Sequence, residues 1–183
     1  MKQLILIVLS FILLSSSCRK NKSDNPVDQL PPETQTGANT FGCLIDGQVF
    51  KPKGNPLAGP VIKAHYQFVN GKQSFGISAR NSDGNIGKVV GIIGDSIAIA
   101  IGTFDLTFLS AGKFRGGYSY IDLTMIRPIQ YETNEINRGQ LIIKKFDMTN
   151  QTVSGTFWFD ALDSTTGKIV QIREGRFDLP FVR

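Results

Sequence analysis

Few residue types in this sequence could do chemistry. The single histidine, His65, stands in an alternating run at 61–69, and a Ser-His-Asp site would require it. No G-x-S-x-G nucleophile elbow is present. One histidine serves a zinc ion poorly, and the apolar neighbours of Cys43 predict that this thiol is buried as a small hydrophobic group. The sequence therefore predicts neither a hydrolytic triad nor a zinc site.

Oxygen ligands are present but stand where turns commonly place them. Residues 81–85 read Asn-Ser-Asp-Gly-Asn, with oxygen-bearing side chains at alternate positions as in calcium loops, but no Glu completes an EF-hand, which favours a plain β-turn. Asp160 with Asp163, and Glu132 with Glu135, could supply the two carboxylates of a glycosidase. Carboxylates are frequent in turns, so we predict no enzyme and no cofactor, and keep a hydrolase as the alternative.

Aromatic and acidic side chains share a face on two predicted strands. Strand alternation puts Trp158 and Asp160 on one side, and it puts Tyr118, Tyr120 and Asp122 on one side of another strand. If exposed, flat rings beside carboxylates would suit a sugar, and they would equally suit a protein partner. The alternative is that the rings pack under a neighbouring strand, or that the Tyr118 strand is turned the other way. These five residues are the candidate ligand-binding residues.

The elements that would position these side chains are short strands. Eighteen of the 19 glycines and 12 of the 13 phenylalanines lie in residues 40–183, between turn signals such as Asp46-Gly47 and Asn70-Gly71. No amphipathic helix of ten or more residues is evident. About ten short strands joined mostly by hairpins predict an all-β antiparallel meander that closes as a β-barrel, with a β-sandwich as the alternative.

Some pairings follow from the same pattern. The run 96–104 is expected to pair with 87–93, and Glu174-Gly175 is expected to be a turn between the last two strands. Alternation along 153–161 places Phe157 and Phe159 on one face, which is predicted to meet Phe177, Leu179 and Phe181 of the final strand in the core.

The first 39 residues predict a targeting signal followed by a flexible tether. After a basic start, residues 4–14 form an uncharged apolar run whose helix would be about 16 Å long, against about 30 Å of bilayer hydrocarbon. Residues 1–17 are therefore predicted as a signal peptide rather than a transmembrane anchor. Residues 18–39 hold three prolines and no aromatic residue, which predicts a flexible tether, and residues 40–183 have the size of one domain.

The residues Leu-Ser-Ser-Ser-Cys at 14–18 resemble the looser lipobox of Bacteroidota lipoproteins. The resemblance implies that Cys18 is lipidated and becomes the first residue of the mature chain, with a membrane as its partner. Lipoproteins exported to the cell surface in that group carry acidic residues after the Cys, whereas residues 19–22 here are Arg-Lys-Asn-Lys. The resemblance thus favours the outer membrane, facing the periplasm, with the cell surface as the alternative.

The domain resembles an uncharacterised family of Bacteroidota lipoproteins, a domain of unknown function. The resemblance is carried by residues 39–47 (NTFGCLIDG), 155–159 (GTFWF), 167–168 (GK) and 175–178 (GRFD). It implies an all-β fold and no reaction. The net charge of +5 is spread along the chain, and Lys144-Lys145 is the longest basic run of the domain, so no nucleic-acid partner is predicted. The predicted function is a non-catalytic envelope module that binds a ligand, a glycan or another envelope protein.

Replacing the predicted lipid acceptor, Cys18, tests whether the protein is anchored to a membrane through this residue. In Cys18→Ala no thiol is present for acylation, so we expect the protein to leave the membrane fraction of detergent-free lysates, measured by immunoblot after sedimentation. Cys43→Ala is the matched control and should stay in the membrane fraction. A Cys18→Ala chain that still sediments with membranes would show that residues 4–14 are themselves the anchor.

Overall fold

The computed structural model describes residues 24–55, 57 and 59–183. It contains a short 3-10 turn, Pro26–Gln29, and the predicted all-β class is confirmed. The predicted signal peptide and the predicted lipid attachment site, Cys18, lie outside the described residues. Eleven strands are found in the described part of the chain: β1 (Thr40–Ile45), β2 (Gln48–Phe50), β3 (Ile62–Val69), β4 (Lys72–Asp83), β5 (Ile86–Asp95), β6 (Gly102–Leu106), β7 (Lys113–Asp122), β8 (Ile129–Glu132), β9 (Gly139–Asp147), β10 (Thr152–Leu162) and β11 (Ile169–Pro180).

Five of these strands close into a barrel. β10 pairs with β9, β9 with β6, β6 with β7 and β7 with β8, and β8 returns to β10 where Glu132 faces Leu162. The β6–β7 contact is parallel and the other four are antiparallel. The predicted barrel is therefore confirmed, with extra strands outside it. Those strands extend the sheet as β11-β1-β2 beside β10 and as β5-β4-β3 beside β7.

The barrel closes around a phenylalanine ring. Phe159 of β10 is fully buried, and strands β7 and β9 meet its ring with Gly116 and Gly139. A β-carbon would lie 2.8 Å from the Phe159 ring at Gly116 and 2.2 Å from its β-carbon at Gly139, closer than such atoms approach. Only glycine leaves space for the Phe159 ring at Gly116 and for the β10 backbone at Gly139.

The predicted contact between β10 and the last strand is confirmed. Val153 pairs with Leu179 and Gly155 with Phe177, and the rings of Phe157 and Phe177 lie 6.3 Å apart between centroids. Val153, Phe157, Phe177 and Leu179 are part of one buried apolar cluster. Strand alternation therefore identified correctly which face of β10 enters the core.

Two predicted pairings are wrong, each for a local reason. Residues 96–101 do not pair with β5: Ile97 and Ile99 pack on the core from an irregular segment, and β6 begins only at Gly102 and pairs with β9. Glu174-Gly175 is not a turn but lies within β11, at a shift of register opposite β10. Glu174 has a φ of 53°, and a residue at positive φ followed by glycine serves a β-bulge as well as a turn.

The N-terminal segment, residues 30–39, packs on the domain although its composition predicts a tether. Leu30 is buried, and the carboxylate of Asp178 in β11 accepts hydrogen bonds from the backbone N–H groups of Thr36, Gly37 and Ala38 at 2.8–3.1 Å. These contacts move the start of the folded unit from about residue 40 to about residue 30. Within the described residues, no helix is long and apolar enough to cross a bilayer.

Truncating the ring at the barrel centre should be costly. We expect Phe159→Ala to lower the free energy of unfolding by about 3 to 5 kcal/mol, because the glycines around the ring cannot fill the cavity. The exposed Phe68→Ala is the control and should change it by about 0.5 kcal/mol or less. Equal chemical-denaturation midpoints for Phe159→Ala and the unmodified protein would contradict the arrangement of β10 inside the barrel.

Candidate functional site

A groove of about 400 Å³ crosses the outer face of β9, β10 and β11. One end of it is bounded by the N-terminal segment, which reaches it with Glu33. The side chains around it include an indole, three cations and two carboxylates. Its polar and indole-bearing lining residues are Glu33, Lys144, Thr156, Trp158, Arg173, Glu174 and Arg176.

The bulge in β11 shapes the middle of this groove. Phe157 faces Gly175 and Phe159 faces Ile172, so Trp158 lies outside, opposite the extra residues of β11. Its side chain is 42% exposed although both neighbours in sequence are buried. A bulge turns side chains that would otherwise follow the strict alternation, and here it brings Arg173 over the indole.

Arg173 joins the indole to the predicted carboxylate. Its guanidinium carbon lies 5.5 Å from the centre of the Trp158 ring, within the range of a cation–π contact. Its Nη2 donates to Asp160 Oδ1 at 2.6 Å, and its Nη1 donates to the carbonyl of Phe159 at 3.1 Å. Arg173 and Asp160 are each about one-third exposed. The result is a fixed surface of planar polar groups beside an aromatic ring.

The structure does not bring the predicted tyrosines to this surface. Tyr118 points into the core, 7% exposed, with its ring centroid 5.5 Å from that of Tyr131, and burial, helped by Tyr131, raises its pKa to about 12. Tyr120 packs partly on the core, and Asp122 accepts hydrogen bonds from Thr124 at the end of β7. Of the five candidates, only Trp158 and Asp160 lie together, because β7 is turned the other way.

The other candidate sites are occupied by structural contacts. Cys43 is fully buried and desolvation raises its pKa, as its apolar neighbours predicted. His65 is half-buried in β3, where burial lowers its pKa and Nε2 lies 3.4 Å from Ser74 Oγ. Residues 81–85 form the end of β4 and a turn, with Asp83 paired to Lys53. Among the described residues, no three His, Cys, Asp or Glu side chains lie close enough to hold a metal ion.

The paired carboxylates also have partners. Asp163 binds the turn after β10: the hydroxyl of Thr166 and the N–H of Thr165 donate to it and lower its pKa. Glu132 pairs with Arg115 at 2.6 Å. Glu135 pairs with Lys113 at 3.1 Å. A glycosidase needs one carboxyl group kept protonated as the acid, whereas the lowered pKa of Asp163 favours its charged form.

Sequence reasoning missed the cations of the groove. Arg173 and Arg176 flank Glu174-Gly175, and reading that pair as a turn hid the fact that both arginines lie on one strand beside Trp158. Glu33 was assigned to the tether. In the sequence, Lys144-Lys145 served only to argue against a nucleic-acid partner. In the structure both lysines bind the N-terminal segment: Lys144 pairs with Glu33, and Lys145 Nζ donates to the carbonyl of Gln35 at 2.9 Å.

Comparison with known proteins identifies a family model but no activity. Residues 96–179 match the model of a family described as a domain of unknown function (DUF6252). No curated protein and no solved structure matches the chain. The matched part contains the five barrel strands and, of the groove, Lys144, Trp158, Arg173 and Arg176. The match to a family of unknown function agrees with the expected resemblance to an uncharacterised family.

Proposed function

We propose that this chain is a non-catalytic glycan-binding module of the cell envelope, with the groove over β9, β10 and β11 as its binding site. The observation that carries the proposal is the 42% exposed indole of Trp158, held beside the Arg173–Asp160 pair. The apolar face of a sugar ring stacks on aromatic rings, while its hydroxyl groups bind charged planar side chains. An anchor on Cys18 would keep the module at the outer membrane, on the periplasmic side.

The polar groups of the groove are suited to binding rather than to proton transfer. Asp160 Oδ1 accepts a hydrogen bond from Arg173 Nη2 at 2.6 Å, which holds the two side chains together beside the indole. Thr156 and the charged side chains around the groove offer hydrogen-bond donors and acceptors to hydroxyl groups. A binding module needs only these contacts.

Titration with neutral oligosaccharides tests the proposal. The purified full chain is titrated with hexasaccharides of glucose, mannose and xylose while the emission of Trp158, its only tryptophan, is followed. We expect at least one sugar to shift the emission, and calorimetry to show that Trp158→Ala weakens that binding about tenfold, since aromatic contacts contribute roughly 0.5–1.5 kcal/mol beyond their buried area.

The matched control is Phe108→Ala, which removes an aromatic ring of similar exposure, 41%, from a loop outside the groove. It should bind like the unmodified chain. Binding that is equally strong in Trp158→Ala would contradict the assignment of the groove. If no saccharide, neutral or acidic, gave a signal, the proposed function would be wrong.

A further inference from the structure

The charges of the groove are unevenly buried. Three cations line it, Lys144, Arg173 and Arg176, with two carboxylates, Glu33 and Glu174, and Arg173 is paired with Asp160 beside it. Both carboxylates are about half exposed at its rim, whereas the Arg176 side chain is only 15% exposed. A charge that is partly withdrawn from water interacts more strongly with an arriving charge of opposite sign. Of the three cations, Arg176 is therefore the one most withdrawn from water, while Lys144 and Arg173 are each more than one-third exposed.

Arg176 has unused hydrogen-bonding capacity within the described structure. Its Nε donates to the carbonyl of Glu174 and its Nη2 to Glu174 Oε2, both at 3.3 Å, which is long for a charged pair. Arg173 is held by contacts of 2.6 to 3.1 Å to Asp160, Ile172 and Phe159. A guanidinium has five N–H donors in a planar fork that matches a carboxylate. The guanidinium of Arg176 can thus donate hydrogen bonds to the carboxylate of a ligand.

The protein itself places one carboxylate in this groove. Glu33 reaches over from the N-terminal segment and pairs with Lys144 Nζ, at the end of the groove away from the bulge. The segment is held in that position by the Asp178 carboxylate and by Lys145. The Glu33–Lys144 pair is an internal example of the contact that an acidic ligand would make.

We infer that the groove binds an acidic saccharide, whose ring stacks on Trp158 and whose carboxylate is bound by Arg176. This inference rests on the proposed glycan-binding function and specifies its ligand class. Lys144 is a second position for a carboxylate, which Glu33 occupies in the absence of ligand. A chain of sugar acids would therefore compete with Glu33 for Lys144.

The test compares two ligands with the same sugar backbone, one with charged carboxylates and one with neutral methyl esters. The purified full chain is titrated by calorimetry with α-1,4-linked tetragalacturonate and with its methyl ester, at low and at physiological salt. We expect the acid to bind at least tenfold more tightly than the ester at low salt, and the difference to shrink as salt screens the charges. Arg176→Gln should remove most of the difference, leaving the part due to Lys144, while the affinity for the ester stays within about twofold, because the variant loses the charge-assisted hydrogen bonds to the ligand carboxylate.

Two further variants sharpen the result. Glu33→Gln should bind the acid more tightly than the unmodified chain, because Lys144 is released. Arg127→Gln removes an exposed cation outside the groove and should keep the full difference between acid and ester. Equal affinities for acid and ester would overturn the inference and leave the proposed function standing. Binding of tetraglutamate as tight as that of tetragalacturonate would overturn it in favour of an acidic peptide.

Discussion

One buried carboxylate determines how the outside of the sheet is arranged. Asp178 is 1% exposed, and its burial opposes ionisation, but the hydroxyl of Thr34 and the N–H groups of Thr36, Ala38 and Gly37 donate to it and bring its pKa below the ordinary value. Charge-assisted hydrogen bonds are stronger than neutral ones, and these offset the cost of desolvation. Because the bonds converge on one side chain, they fold residues 34–38 over β10 and β11.

The position of this segment determines the boundary of the binding groove. It lies against Asp178 of β11 and Lys145 of β9, whereas Trp158 is 42% exposed in the groove. Glu33 stands at the border and pairs with Lys144. Inside the sheet a second constraint operates: Phe159 fills the barrel, so the strand parity puts Trp158 outside, and the bulge in β11 brings Arg173 over its ring. The groove depends on both constraints together.

The fold could be predicted from the sequence where local chemistry and alternation agree. Asn70 and Gly71 both adopt positive φ in a two-residue hairpin turn, and alternation placed Phe157 and Phe159 in the core. Parity alone cannot tell which face of β7 is inside, so both orientations of Tyr118 stay open until the structure shows that it is buried. Nor could composition show that residues 34–38 fold onto Asp178, because partners 140 residues apart leave no local pattern.

Hydrogen exchange at the N-terminal segment tests the central role of Asp178 most directly. Mass spectrometry would follow the amides of residues 36–38 in the unmodified chain and in Asp178→Asn at neutral pH. We expect these amides to exchange slowly in the unmodified chain and fast in Asp178→Asn, with β10 protected in both proteins. Because the pKa of Asp178 is lowered from about 3.8, protection in the unmodified chain should persist above that pH and disappear as the pH falls through the folded-state value. Equal protection of residues 36–38 in the two proteins would contradict it.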